Sequence, residues 1–158
     1  MRVESTKNLP LEKGQLDFKF RKLDLKNEIL SLDLFPIYLL LTHPKKLGWP
    51  GTRAERAIKE YRDFLYISYL HKNESAIVPS EEVDEVWHNH IMDTRKYYTD
   101  CMSTFGEILH HNPYLGMDEK TGEEDLRNAV SQTRAAYKKE LNIDLPADFK
   151  ASFCNAAG

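Results

Sequence analysis

Val83-Asp84-Glu85-Val86-Trp87-His88-Asn89-His90-Ile91-Met92-Asp93-Thr94-Arg95-Lys96-Tyr97-Tyr98-Thr99-Asp100-Cys101-Met102-Ser103-Thr104-Phe105-Gly106 is the stretch whose reading decides the fold. Trp87, Ile91, Tyr98 and Phe105 recur at helical spacing, which predicts one apolar stripe on one long helix. Ser80 is a good N-cap, and Glu81, Glu82 and Asp84 suit the positive end of the helix dipole. The spacing predicts a single helix over 80–106, with a kink or break at Gly106.

The same stretch carries the candidate chemistry. Four of the six histidines lie between Val83 and Gly116: His88, His90, His110 and His111. Imidazole is the commonest metal ligand and the usual acid–base group near neutral pH. At about 100° per residue, Asp84 and His88 share a face one turn apart. His90 points roughly 160° away from His88. Along a continuous helix His90 and Cys101 stand about 16 Å apart, too far to share an ion. The candidate metal set is therefore Asp84 and His88, joined by His110 or His111 folding back after Gly106. His90 is left as a second-shell or acid–base group. Imidazoles with a carboxylate suit zinc, iron or another divalent transition metal. A His-Glu-x-x-His motif is absent. The competing reading is structural: Asp84 accepts a hydrogen bond from His88, and His110-His111 cap a helix C-terminus.

Working outward, Thr52-Arg-Ala-Glu55 reads as a capping box opening a helix to about His71. Ala54, Ala57, Ile58, Tyr61, Phe64, Leu65 and Tyr69 fill its apolar face. Thr121-Gly-Glu-Glu124 is a second such box, followed by a stripe of Leu126, Val130, Thr133, Tyr137 and Leu141; Asn142 can close that helix in the left-handed region. Asp33 caps a shorter helix, 34–41, apolar all round and hence expected to be buried. Leu16, Phe18 and Phe20 alternate with polar residues, which predicts a short extended segment. Cys101 reads as a small buried hydrophobe, and His43 and His71 as surface or capping residues. The fold expected is mainly α: a single compact domain of about four helices over 16–145, its core from 52–71, 80–106 and 121–141. A loose arm precedes it at 1–15 and a tail follows at 146–158.

A chain of 158 residues suits one domain that needs no metal or disulfide merely to fold. The formal net charge of -3 disfavours a nucleic-acid surface, despite Lys7, Lys19, Arg21, Lys22 and Lys26 near the start. Two cysteines, Cys101 and Cys154, with no CxxC pair, make neither a disulfide framework nor a thiolate zinc site. The charged N-terminus is no signal peptide, and the longest apolar run is broken by Pro36. A cytoplasmic protein is expected, with an unidentified small molecule or protein as partner.

Tyr61-Arg-Asp-Phe-Leu65, Val78-Pro79, Val83-Asp84-x-x-Trp87-His88-x-His90-Ile91-x-Asp93-Thr94-x-x-Tyr97 and Asp100-Cys101 resemble the glycine-rich domain-containing protein-like family. Phe105-Gly106, Leu109-His110-His111, Pro113-Tyr114 and Gly116-Met117 resemble its small bacterial members in particular, and Gly122-Glu-Glu-Asp125, Leu126 and Tyr137 extend the similarity into the final helix. The resemblance spans about Gly48 to Leu141. It implies a stand-alone bacterial protein and singles out Asp84, His88, His90, Cys101, His110 and His111. The chain departs from the family name, having seven glycines and no glycine-rich tail. Two functional readings follow. The first is a small metal-binding protein with a histidine-centred site open to catalysis. The alternative is a non-catalytic interaction module whose histidines are structural. RNA binding is the weakest of the readings, for want of a basic face or a stacking platform.

Overall fold

The computed structural model describes residues 13–152. They form six helices: α1 Lys13–Ser31, α2 Phe35–Thr42, α3 Gly51–Leu70, α4 Glu81–Met92, α5 Thr94–Phe105 and α6 Gly122–Leu141. The mainly α expectation holds, with two more helices than the sequence suggested. Both additions have a local cause.

The first lies at the N-terminus. Leu16 to Phe20 belongs to α1, so the extended segment is overturned. Phe18 and Phe20 are exposed, and α1 seats itself through Leu25 and Ile29 further on. The alternation of three residues was outweighed by a longer helical register. Residues 1–12 of the expected arm lie outside the described residues.

The second lies in the central stretch, which is two helices rather than one. Asp93 leaves the helical region (φ -82°, ψ 75°), ends α4 and caps α5 by accepting from the Lys96 amide at 3.3 Å. An aspartate that bonds the backbone ahead offers the chain an alternative to continuing the helix. Gly106, in the left-handed region at φ 71°, then ends α5. The break turns α5 back onto α4, so distances computed along one continuous axis do not apply beyond Asp93. It also turns Tyr98 out to solvent, while Trp87 and Phe105 remain in the core as the stripe predicted.

The centre of the molecule is α3, which packs against α1, α2, α4 and α6. Ala54 and Ala57 are fully buried and let neighbours approach closely; Tyr61, Phe64, Leu65 and Ile67 fill the space below them. Helix α2 is half-buried rather than enclosed: Ile37 and Leu41 face the core, but Phe35 and Leu39 are exposed. Arg62 on α3 donates to carbonyls at the end of α1, Ile29 O and, at 2.9 Å, Leu32 O. Such a cation satisfies the orphan acceptors of a helix C-terminus.

Neither expected capping box forms. Helix α3 begins one residue before Thr52, and α6 has no side-chain cap bond at Thr121. The Thr121 hydroxyl goes instead to Asp125 at 2.8 Å, while Asp118 takes the Lys120 and Thr121 amides. The Ser80 cap is present, accepting from Val83 N at 3.3 Å. Asn142 ends α6 in the left-handed region, as expected. His71 does cap α3, yet it is buried, with Nε2 3.4 Å from Glu140 on α6. Among the described residues no helix is long and apolar enough to cross a membrane.

Beyond α6 the chain runs back to the start of α4. Ala151 forms an antiparallel bridge with Ser80, and Ser152 N donates to Pro79 O at 2.9 Å. Residues 153–158, with Cys154, lie outside the described residues.

Candidate metal centre

The first turn of α4 sets the site. Ser80 fixes where the helix starts, so Asp84 falls on the inward face, where it is buried. His88 follows one turn on. Its Nδ1 lies 2.8 Å from the Asp84 backbone carbonyl and 3.3 Å from Asp84 Oδ2, while the ring is about half exposed.

The third member arrives from the segment after α5. Trp87 Nε1 donates to Tyr97 Oη at 3.0 Å, and the Tyr97 hydroxyl donates to the Leu109 carbonyl. This buried relay pins Leu109, so His111 swings over the start of α4. His111 Nε2 reaches Asp84 Oδ1 at 2.9 Å. Its ring centroid is 4.5 Å from that of Trp87 and 4.7 Å from that of His88.

One potential ligand atom from each of Asp84, His88 and His111 lies within 4.8 Å of the others. Three of the four residues expected to hold a metal are thus together. His110, the fourth, is exposed and stands outside this cluster.

The carboxylate also has a partner the sequence gave no sign of. Ser152, in the expected tail, donates through Oγ to Asp84 Oδ2 at 2.7 Å. Burial alone pushes the Asp84 carboxyl up. Hydrogen bonds from His111 and Ser152 and the charges of His88 and His111 outweigh it, and the group ends below its ordinary value.

His90 points into the interior and meets a different set of residues. Its Nδ1 is 2.9 Å from Tyr61 Oη and its Nε2 is 2.8 Å from Asp100 Oδ2. Burial lowers its pKa, against the pull of the Asp100 carboxylate, so the ring is neutral near pH 7. Burial pushes the Tyr61 hydroxyl well up, so it keeps its proton. The consistent assignment is Tyr61 O–H donating to Nδ1 and Nε2–H donating to Asp100. Lys96 Nζ, 3.0 Å from Asp100, balances the carboxylate. Both ring nitrogens of His90 are thereby engaged, and the residue ties α3, α4 and α5 together. Cys101 is buried beside this network, and burial raises its thiol pKa. An inert core cysteine is the physical consequence.

Two imidazoles and one carboxylate suit a divalent transition metal with positions left open, as in hydrolytic zinc and non-haem iron sites. A cavity of about 240 Å³ adjoins the cluster; Asp84, His111 and Ser152 line it together with Phe64, Lys72, Trp87 and Leu109.

Comparisons with known proteins bear on the same region. A family model described as UCP032817-like matches residues 45–146. Glycine-rich domain-containing protein 1 of Arabidopsis thaliana is 30% identical over 88 residues, which are 54% of this chain and 10% of that protein. The chain therefore spans about a tenth of the length of that relative. No solved structure matches.

Proposed function

The chain belongs to the UCP032817-like family, and from that premise we propose that it holds one divalent transition-metal ion, zinc or iron, on Asp84, His88 and His111. The observation that carries this reading is the convergence of the three side chains, from two separate segments, to within 4.8 Å. A carboxylate held ionised and two imidazoles supply the donor types such ions take. Three protein ligands leave positions for water or substrate, which is what a catalytic ion requires. His110, at the rim, stays outside this set, and His90 acts at a distance by fixing α4.

A second reading, a non-catalytic interaction module, is favoured by the exposed Phe18, Phe20, Leu23 and Leu30 on α1. In that case Asp84 serves only to accept from His111 and Ser152.

The deciding measurement is elemental mass spectrometry on untagged protein beside a His88→Ala, His111→Ala double variant. One zinc or iron per chain, lost in the variant, supports the metal reading. No metal in the wild type, and none taken up on anaerobic reconstitution with either ion, sinks it and leaves the interaction module.

A further inference from the structure

A second cavity, of about 940 Å³, is bounded by α3, the start of α4, Tyr137 of α6 and the stretch 143–150. Val78 alone lines both it and the cavity beside the metal cluster. The stretch 143–150 is fixed at both ends. Arg134 on α6 donates to the Leu145 and Pro146 carbonyls, each at 2.7 Å, and its guanidinium lies 5.8 Å from the centre of the Phe149 ring. Just beyond, the Ala151–Ser80 bridge ties the chain to the start of α4. The space is therefore built into the fold, and its size falls within the roughly 300–1,000 Å³ of small-molecule pockets.

The polar groups that line it are unevenly used. Glu82 is held by Arg53 at 2.6 Å and by Arg56 at 3.0 Å. The Asp63 carboxylate, half-buried on α3, makes no hydrogen bond or ion pair among the described residues. Glu60, one turn before it, has Arg56 at 4.0 Å. Tyr137 is only 8% exposed. Its hydroxyl makes no hydrogen bond among the described residues, yet it is not sealed in, and it opens on this cavity. Burial, then the charges of Asp63 and Glu60, push that hydroxyl up, so it keeps its proton. Burial also pushes the Asp63 and Glu60 carboxyls up, against the basic side chains nearby.

The cations that line the cavity do not settle these acids. Lys59 and Lys150 are exposed, and Arg56 is engaged by Glu82. What Asp63 and Tyr137 lack is a cationic donor. An ammonium carries three donors and no acceptor, so one such group serves a carboxylate and a phenol oxygen together. Ile143, Leu145 and Phe149 line the same space and offer apolar surface to whatever carries it.

We propose that this cavity binds a small primary amine with an apolar, ring-sized body, its ammonium donating to the Asp63 carboxylate and the Tyr137 hydroxyl oxygen, its body lying against Ile143, Leu145 and Phe149. No metal enters this site, so its test is independent of the metal reading.

The experiment is calorimetric titration of the full chain with tryptamine, indole-3-propionate and ethylamine. The first two share a ring and differ in the sign of their charge; the third keeps the ammonium without the ring. Tryptamine is expected to bind at least about tenfold more tightly than either. Asp63→Asn is expected to weaken tryptamine by about tenfold and Tyr137→Phe by about fivefold. A hydroxyl without a protein partner adds nothing to the fold, so Tyr137→Phe should also melt within about 2 °C of wild type. No binding of tryptamine, equal binding of indole-3-propionate, or a tryptamine affinity unmoved by both substitutions overturns the proposal. A clearly lowered melting temperature in Tyr137→Phe overturns it too, since the hydroxyl then serves the fold.

Discussion

Asp84 Oδ1 and His111 Nε2 sit 2.9 Å apart, 27 residues apart in the chain, and Ser152 Oγ holds the other carboxylate oxygen at 2.7 Å. One buried acceptor therefore joins the start of α4, the segment after α5 and the chain beyond α6. Replacing it removes the acceptor that these donors share. In metal-free protein, Asp84→Ala is expected to lose about 1–3 kcal/mol of stability. Urea unfolding checks it; a loss under about 0.5 kcal/mol, the size typical of an uninvolved surface site, means the carboxylate does not anchor these segments.

The interior Tyr61–His90–Asp100 chain is expected to behave differently. His90→Ala removes a fully enclosed ring and strands both partners, for a cost of about 2–5 kcal/mol. Metal content should stay at the wild-type level wherever the variant remains folded. A variant that folds well but loses its metal moves His90 into the site itself.

Acid stability should report on Glu140. Burial raises its carboxyl, but the hydrogen bond from Lys22, then the charges of Lys22, His71 and Lys139, bring it below its ordinary value. As pH falls, the unfolded chain takes up this proton before the folded one does. The stabilisation is complete above the unfolded pKa of about 4.3 and is lost as pH falls through the lower folded value. Thermal unfolding scanned downward from pH 5 should fall less steeply in Glu140→Gln. An unchanged slope means the Lys22–Glu140 contact at 2.5 Å contributes nothing in solution.

Gly122 should tolerate no side chain. A Cβ there would stand 2.3 Å from Gly116 O and 2.8 Å from Gly116 C, both backbone atoms with no room to yield. Gly122→Ala must push the 116–121 loop off the start of α6, at a cost of about 1–3 kcal/mol. Gly14, with nothing within 4 Å, is the control: alanine there should be neutral or stabilising by up to about 1 kcal/mol. Equal melting temperatures for the two alanine variants would refute the close approach.

The legible part of this fold is what period and capping chemistry carry. The apolar faces of α3 and α6, the Ser80 cap and the Asn142 stop all read directly, because each depends on neighbours within one or two turns. The pairing of Asp84 with His88 read for the same reason. His111 joined them as one of two candidates, since only the Trp87–Tyr97–Leu109 relay decides which of two adjacent histidines faces α4. The break at Asp93 was missed because no glycine or proline marks it; an aspartate before a threonine is a cap signature inside an apolar pattern that runs on regardless. Asp100 as the partner of His90 was hidden by the same error, since a continuous helix puts them about 15 Å apart. Ser152 lay beyond any local rule, as its role exists only through a contact 68 residues away in sequence.

That last contact also sets an order of events during synthesis. Asp84 and His88 leave the ribosome first, His111 next, and Ser152 last of the four. At about 5–20 residues per second, several seconds separate the carboxylate from its serine. A nascent chain can thus gather the aspartate and its two histidines while the serine is still unmade. Of the four groups, the serine hydroxyl is the last to become available.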